Sequence, residues 1–265
     1  MKIYKALTIA GSDSGAGAGI QADLKTFAAH GVYGTTAIAA ITAQNTRGVE
    51  KIFPLPSGIV AAQIDAILDD IGADAVKTGM LFNAAIVDVV ARTIRAHRLR
   101  NVVVDPVMAA TSGNSLLRKD AIVALKKKLI PLATVVTPNI PEAEELTGID
   151  LKRAEDFKTA ARRIVEMGAR NVVIKGGHGK GPAADLFYDG KKFREFAARR
   201  IRTRNTHGTG CTFAAAIAAN LAKGATAEEA VARAKEYLTR AIKESYAIGA
   251  GHGPVNHFYG FRKSR

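Results

Sequence analysis

The chain contains one cysteine and no tryptophan, and its glutamines are confined to positions 21, 44 and 63. With Cys211 alone, neither an intramolecular disulfide nor a multi-cysteine zinc site can form, which fits a reducing compartment. No apolar run approaches the roughly 20 residues a membrane helix needs, and the amino terminus enters a strand-like stretch without a cleavage pattern. The expectation is a soluble, unprocessed, cytoplasmic protein with no membrane partner. Two common nucleotide signatures are also missing. No GxxxxGK[ST] loop occurs, because Gly179-Lys180 is followed by Gly181 where a hydroxyl residue would have to stand. The glycines at 15 and 17 fail the dinucleotide fingerprint as well, since Ile20 occupies the place of its third glycine and no acidic residue ends the second strand.

Present in excess is positive charge: 38 Lys and Arg against 24 Asp and Glu, a net +14. Such a balance suits nucleic acid, anionic surfaces or small phosphorylated ligands. The basic residues are dispersed over helix-like segments, with short clusters at 126–128 and 199–204 and no interleaved aromatic motif. Nucleic acid is therefore not expected as a partner, and small anions are. At 265 residues and 48% hydrophobic composition, the chain can bury one large α/β core, and no linker or composition break divides it. A single domain over 1–265 is expected.

Strand-like runs alternate with amphipathic stretches: strands at 6–10, 35–42, 75–78, 101–105, 134–137 and 171–175, and helices at 18–30, 84–97, 119–128, 155–167, 210–222 and 227–245. Ser57 is read as the cap of a further helix. This order predicts a mostly parallel sheet covered on both faces. A short piece at 49–53 ending in prolines reads as an edge or lid strand, and 184–188 with 192–196 as a hairpin around Asp189-Gly190. In such sheets ligands bind beyond the carboxyl ends of the strands, so the residues following each strand are the candidates for chemistry.

The segment GSDSGAGAGIQAD, 11–23, joins the first strand to the first helix with glycines that admit close backbone approach. THGTGCT, 206–212, places two glycines before an Ala-rich helix whose free first-turn amides, those of Gly208, Thr209, Gly210 and Cys211, can form an anion hole. There a transferring phosphoryl group would be stabilised. Cys211 lies in the same turn, where the helix dipole is expected to depress its pKa and make it a proton acceptor. In TPNIPE, Asn139 and Glu142 offer hard oxygen ligands for magnesium and equally the elements of a helix cap. Asp105, at a strand end, is a metal or hydroxyl partner, and Lys175 can reach phosphate as a point charge. Residues 108–115, rich in Ala, Gly and Ser, are expected to form a mobile lid.

Together GSDSGAGAGIQADLKT, TAQNTRGV, KTGML, DPVM, TPNIPEAEEL, VIKGGH, NTHGTGCTF and GHGPVNHF resemble, in order, the motifs of the phosphomethylpyrimidine kinases, the thiamine-pathway branch of the ribokinase-like group. The resemblance implies a ribokinase-like three-layer α/β/α sandwich with a small edge strand element. It also implies an ATP- and Mg²⁺-dependent kinase of hydroxymethylpyrimidine and its monophosphate, working as a homodimer. Asp23 and Gln44 would bond the aminopyrimidine, and Gly11, Met80 and Val107 would line its pocket. Cys211 would stand in for the aspartate base of sugar kinases, Asp105 and Glu142 would manage magnesium, and Lys175, Thr206, Gly208 and Gly210 would hold the nucleotide. Ala16 departs from the glycine usual in that family. The sister pyridoxal kinases are the enzymatic alternative, and a pyrimidine- or nucleotide-binding regulator without catalysis the non-enzymatic one.

Overall fold

The computed structural model describes residues 2–109, 116–176 and 183–261. Among these, nine strands form one sheet: β1 (Lys5–Asp13), β2 (Tyr33–Gln44), β3 (Val49–Pro54), β4 (Ala75–Thr78), β5 (Val102–Val104), β6 (Val135–Val136), β7 (Val172–Ile174), β8 (Ala183–Tyr188) and β9 (Phe193–Ala198). Their spatial order is β3-β2-β1-β4-β5-β6-β7-β8-β9. The six strands from β2 to β7 are parallel, while β3 and the β8–β9 hairpin run antiparallel at the two ends.

The sheet is covered on both faces by α1 (Gly19–Ala29), α2 (Ser57–Asp70), α3 (Ala84–Ala96), α4 (Lys119–Ala124), α5 (Ile140–Thr147), α6 (Ala154–Glu166), α7 (Thr209–Ala222) and α8 (Ala227–Lys243). Period-two alternation divides each strand between two cores. In β5, Val102 and Val104 join the cluster that contains Ile86, Val90, Leu129 and Ile164 from the side of α2 to α6, whereas Val103 joins that of Phe27, Phe213 and Ile217 on the side of α1, α7 and α8. Helix α7 is buried from Thr212 to Ala222. Its alanines permit both α1 and α8 to pack beside it on the central strands.

Three local expectations change. Strand β1 continues through Gly11, Ser12 and Asp13 across a register shift at Ala10/Gly11 instead of ending at 10, so the motif's first residues belong to the sheet. Ser57 is not a cap: the chain enters α2 from Pro56, whose φ of −54° already suits a helix start, and no side chain caps the turn. The segment 119–128 is α-helical only to Ala124 and then widens into a π turn over Leu125–Leu129. Of the segment 108–115 expected to form a lid, residues 110–115 lie outside the described residues.

Candidate active site

Every strand from β1 to β7 except β3 delivers a candidate site residue at or just beyond its carboxyl end, and these converge on a cavity of about 820 Å³. At one end stand Gly11 and Asp13 of β1, Gln44 of β2, Met80 after β4 and Val107 after β5. At the other, Ala198, Ile201, Leu238 and Ile242 make an apolar slot beside β9 and α8. Asp105, Glu142, Lys175 and the turn from Thr206 to Cys211 lie along the wall.

The α7 amino terminus is built by glycine. Gly208 precedes the helix at φ +79°, and a side chain there would collide with the carbonyl of Gly17, so the two glycine-rich segments are in direct backbone contact. Lys175 Nζ lies 3.0 Å from Asp105 Oδ1 and 3.9 Å from Glu142 Oε2. Burial opposes its charge, but Asp105 and Glu142 outweigh burial and raise its pKa, so the ammonium persists. Thr137 Oγ1 donates to the same Asp105 oxygen at 3.0 Å. Glu142 and Asn139 form a capping box on α5: Asn139 Oδ1 accepts from the Glu142 amide, and Glu142 Oε2 accepts from the Asn139 amide at 2.8 Å. Asn139 and Glu142 thus both serve the helix start, Glu142 Oε1 also accepting from the Met108 amide at 3.3 Å, and Asp105 and Glu142 are the two carboxylates on the cavity wall. Burial raises the Glu142 carboxyl, with Lys175 pulling the other way.

Two expectations are corrected here. Asp23 does not line the cavity. It lies fully buried in α1, accepting from Thr8 Oγ1 at 2.6 Å and from Lys77 Nζ at 2.9 Å. Lys77 itself, at 0% exposure, lines the cavity floor. Cys211 is not depressed by the helix start: burial pushes its thiol up to about 11, although Lys77 and the Gly19 amide favour the thiolate, because Asp23 and Asp105 add to the penalty.

Reasoning from sequence singled out the first glycine segment but gave no role to Asp13. Its carboxylate accepts from the amides of Gly15, Gly17 and Ala18 and from His207 Nε2 at 2.8 Å. An aspartate followed by three small residues is a recognisable anchor of a tight loop. Lys77 and His207 likewise stood inside quoted motifs without a task. Asp185 carried no local signal. It accepts from the Gly176 amide at 3.0 Å and from Lys235 Nζ at 2.7 Å, bracing the backbone next to Lys175.

The chain is 51% identical over 260 residues to the hydroxymethylpyrimidine/phosphomethylpyrimidine kinase of Bacillus subtilis, covering 97% of this chain and 96% of that protein. It is 54% identical over 252 residues to the thiamine biosynthesis bifunctional protein ThiED of Geobacter sulfurreducens, covering 95% of this chain and 51% of that one, so it spans about half of the bifunctional protein. An ADP complex of Bacillus subtilis pyridoxal kinase superimposes with a TM-score of 0.90 at 47% identity, covering 97% and 98% of the two chains. Residues 13–256 match the family model described as phosphomethylpyrimidine kinase, and with that match and a ribokinase-like sheet, the chain belongs to that family of kinases.

Proposed function

We propose that the enzyme transfers the γ-phosphoryl group of ATP to the hydroxymethyl oxygen of 4-amino-5-hydroxymethyl-2-methylpyrimidine, and then to the resulting monophosphate, in thiamine biosynthesis. The observation that carries this reading is the continuity of one cavity from Gln44 to the α7 amino terminus, with Lys175 and Asp105 between. The pyrimidine would lie against Gln44, Met80 and Val107, with Gly11 leaving room: a side chain there would come within 2.5 Å of Met80 Cε. The nucleotide's base would enter the apolar slot by Ile201, Leu238 and Ile242, and its phosphates would face Lys175, Thr206, Gly208 and Gly210.

In this arrangement Cys211, in its thiolate form, takes the hydroxyl proton as the oxygen–phosphorus bond forms. The amides of Gly208, Thr209, Gly210 and Cys211 and the Lys175 ammonium receive the charge that spreads over the phosphoryl oxygens. Arg199 on the cavity wall adds positive potential for the monophosphate as second acceptor. Magnesium fits the two carboxylates of Asp105 and Glu142, hard oxygen donors that suit an ion retaining most of its waters. No group of three His, Cys, Asp or Glu that would cage a metal occurs among the described residues. The ion would neutralise phosphate charge. Asn139, engaged in capping, is the weakest of the three candidate ligands.

The same reading takes the 265 residues as one cytoplasmic catalytic domain and expects a homodimer. Support for the dimer is the edge strand β3, where Phe53, 64% exposed, pairs across from Ile41, 48% exposed. Steady-state kinetics on the pyrimidine, its monophosphate and pyridoxal with one enzyme preparation test the assignment, together with Gln44→Ala. Both pyrimidines should be used with higher kcat/KM than pyridoxal, and Gln44→Ala should raise KM for the pyrimidine more than for ATP. Pyridoxal as the best substrate, or an inert monophosphate, would overturn it in favour of the activity named for the Bacillus subtilis pyridoxal kinase.

A further inference from the structure

Gln44, Asp13 and His207 meet on the cavity wall, and the hydrogens available at that meeting decide how Gln44 is oriented. Burial would raise the Asp13 carboxyl, but His207 and the amides of Ala18 and Gly15 outweigh it and hold it below its ordinary range. A carboxylate has no hydrogen to give, so His207 Nε2, 2.8 Å from Asp13 Oδ2, is the donor. The same nitrogen lies 3.4 Å from Gln44 Nε2, which would set donor against donor. The far end of the amide has a matching conflict. Thr42 Oγ1 carries one hydrogen and gives it to the Ser12 carbonyl at 2.8 Å, so only lone pairs face Gln44 Oε1 at 3.1 Å. Reversing the amide resolves both: the NH₂ group donates to Thr42, and Oε1 takes a share of the His207 hydrogen.

We infer that His207 is a specificity-determining positioning residue: anchored by Asp13, its Nε2–H fixes the Gln44 amide with Oε1 toward the imidazole, leaving one N–H and one oxygen lone pair for the edge of an aminopyrimidine. That edge, a ring nitrogen beside an exocyclic amine, offers the complementary acceptor and donor. Pyridoxal presents a phenol and an aldehyde instead, and a fixed amide cannot turn to meet them without breaking the Thr42 and His207 bonds. The imidazole is itself confined. A side chain at Gly17 would strike its ring, and the His207 amide donates to the Gly253 carbonyl at 3.1 Å. Because His207 immediately precedes Gly208, the residue that orients the substrate's ring and the one that opens the anion hole are consecutive in the chain.

The inference rests on the pyrimidine reading, and its test separates the two. Calorimetric binding of hydroxymethylpyrimidine to the wild-type enzyme comes first: no binding there fails the functional reading, not the orientation of Gln44. Given binding, His207→Phe, which keeps a ring and loses the donor, should raise KM for the pyrimidine by about ten-fold while KM for ATP and kcat change by less than about two-fold. His207→Gln, which can still donate, should recover most of that loss, and KM for pyridoxal should not rise in either variant. Equal increases for ATP and pyrimidine, or an unchanged pyrimidine KM, would overturn the inference. Imidazole ¹⁵N spectra of the wild-type enzyme provide a check that needs no variant. They should show the hydrogen on Nε2, and a ring protonated only at Nδ1 would refute it.

Discussion

Because Cys211 is the only cysteine in the chain, its ionisation can be followed without interference by alkylation with iodoacetamide and intact-mass detection. The thiol sits at the start of α7, where a helix dipole and the Lys77 ammonium would draw out its proton. Burial nonetheless dominates and pushes it up to about 11 from an ordinary 9.0. At pH 7 the thiolate is then about 10⁻⁴ of the free enzyme, and the alkylation rate should climb about ten-fold per pH unit and level off near pH 11. Between pH 9 and 11 the folded chain holds a proton that the unfolded chain has released. Stability contributed by the neutral thiol is thus intact below the unfolded pKa and lost as pH rises, by about 3 kcal/mol in all. Urea unfolding of wild type and Cys211→Ala should reveal it as a difference that shrinks across that window. If Cys211 is the base, kcat/KM should rise with pH over the same range. An alkylation midpoint at or below the ordinary 9.0 would refute the claim that desolvation governs this site.

Lys77→Met should cost about 3–5 kcal/mol by leaving the Asp23 carboxylate buried without its partner, and adding Asp23→Leu should recover much of it. Denaturant midpoints of the single and double variants check this. Gly208→Ala should lower both thermal stability and affinity for ATP, since a side chain there meets the Gly17 carbonyl at a positive φ. Nucleotide titration alongside a melting curve separates the two effects. Lys175→Ala should reduce kcat/KM for ATP by about two orders of magnitude through loss of phosphate stabilisation. Retention of wild-type ATP kinetics would remove Lys175 from the phosphate site.

Much of the sheet could be read directly because its strands are short apolar runs that end in polar residues: AVKT at 75–78 and VVV at 102–104 stand where the pattern puts them. The TPNIPE cap was equally plain, with Asn139 and Glu142 three residues apart and a proline between. What periodicity could not supply was depth. Asp23 occupies the inward stripe of α1, and only its long-range pairing with Lys77 in β4 takes it below the cavity floor. The Cys211 error has the same origin. The helix start is a local feature, but the burial that outweighs it comes from the packing of α1, β4 and β5 around that turn. Asp185 escaped notice because its partners, Gly176 and Lys235, lie on opposite sides of it in the chain and meet only across the β8 strand.

The contact between the two glycine segments also has a temporal meaning. Asp13 and His207 are separated by 194 residues, as are the carbonyl of Gly17 and the start of α7 to nearly the same degree. Closing so long a loop comes late in folding, because its entropic cost must be met before the contact rewards it. During synthesis on the ribosome the parallel strands can pair as they emerge, but the glycine turn that starts α7, and the His207 contacts to Asp13 and the Gln44 amide, cannot exist until residues beyond 206 have cleared the exit tunnel. A nascent or prematurely terminated chain would therefore present a sheet with its strand ends open and no competence to take phosphate from ATP.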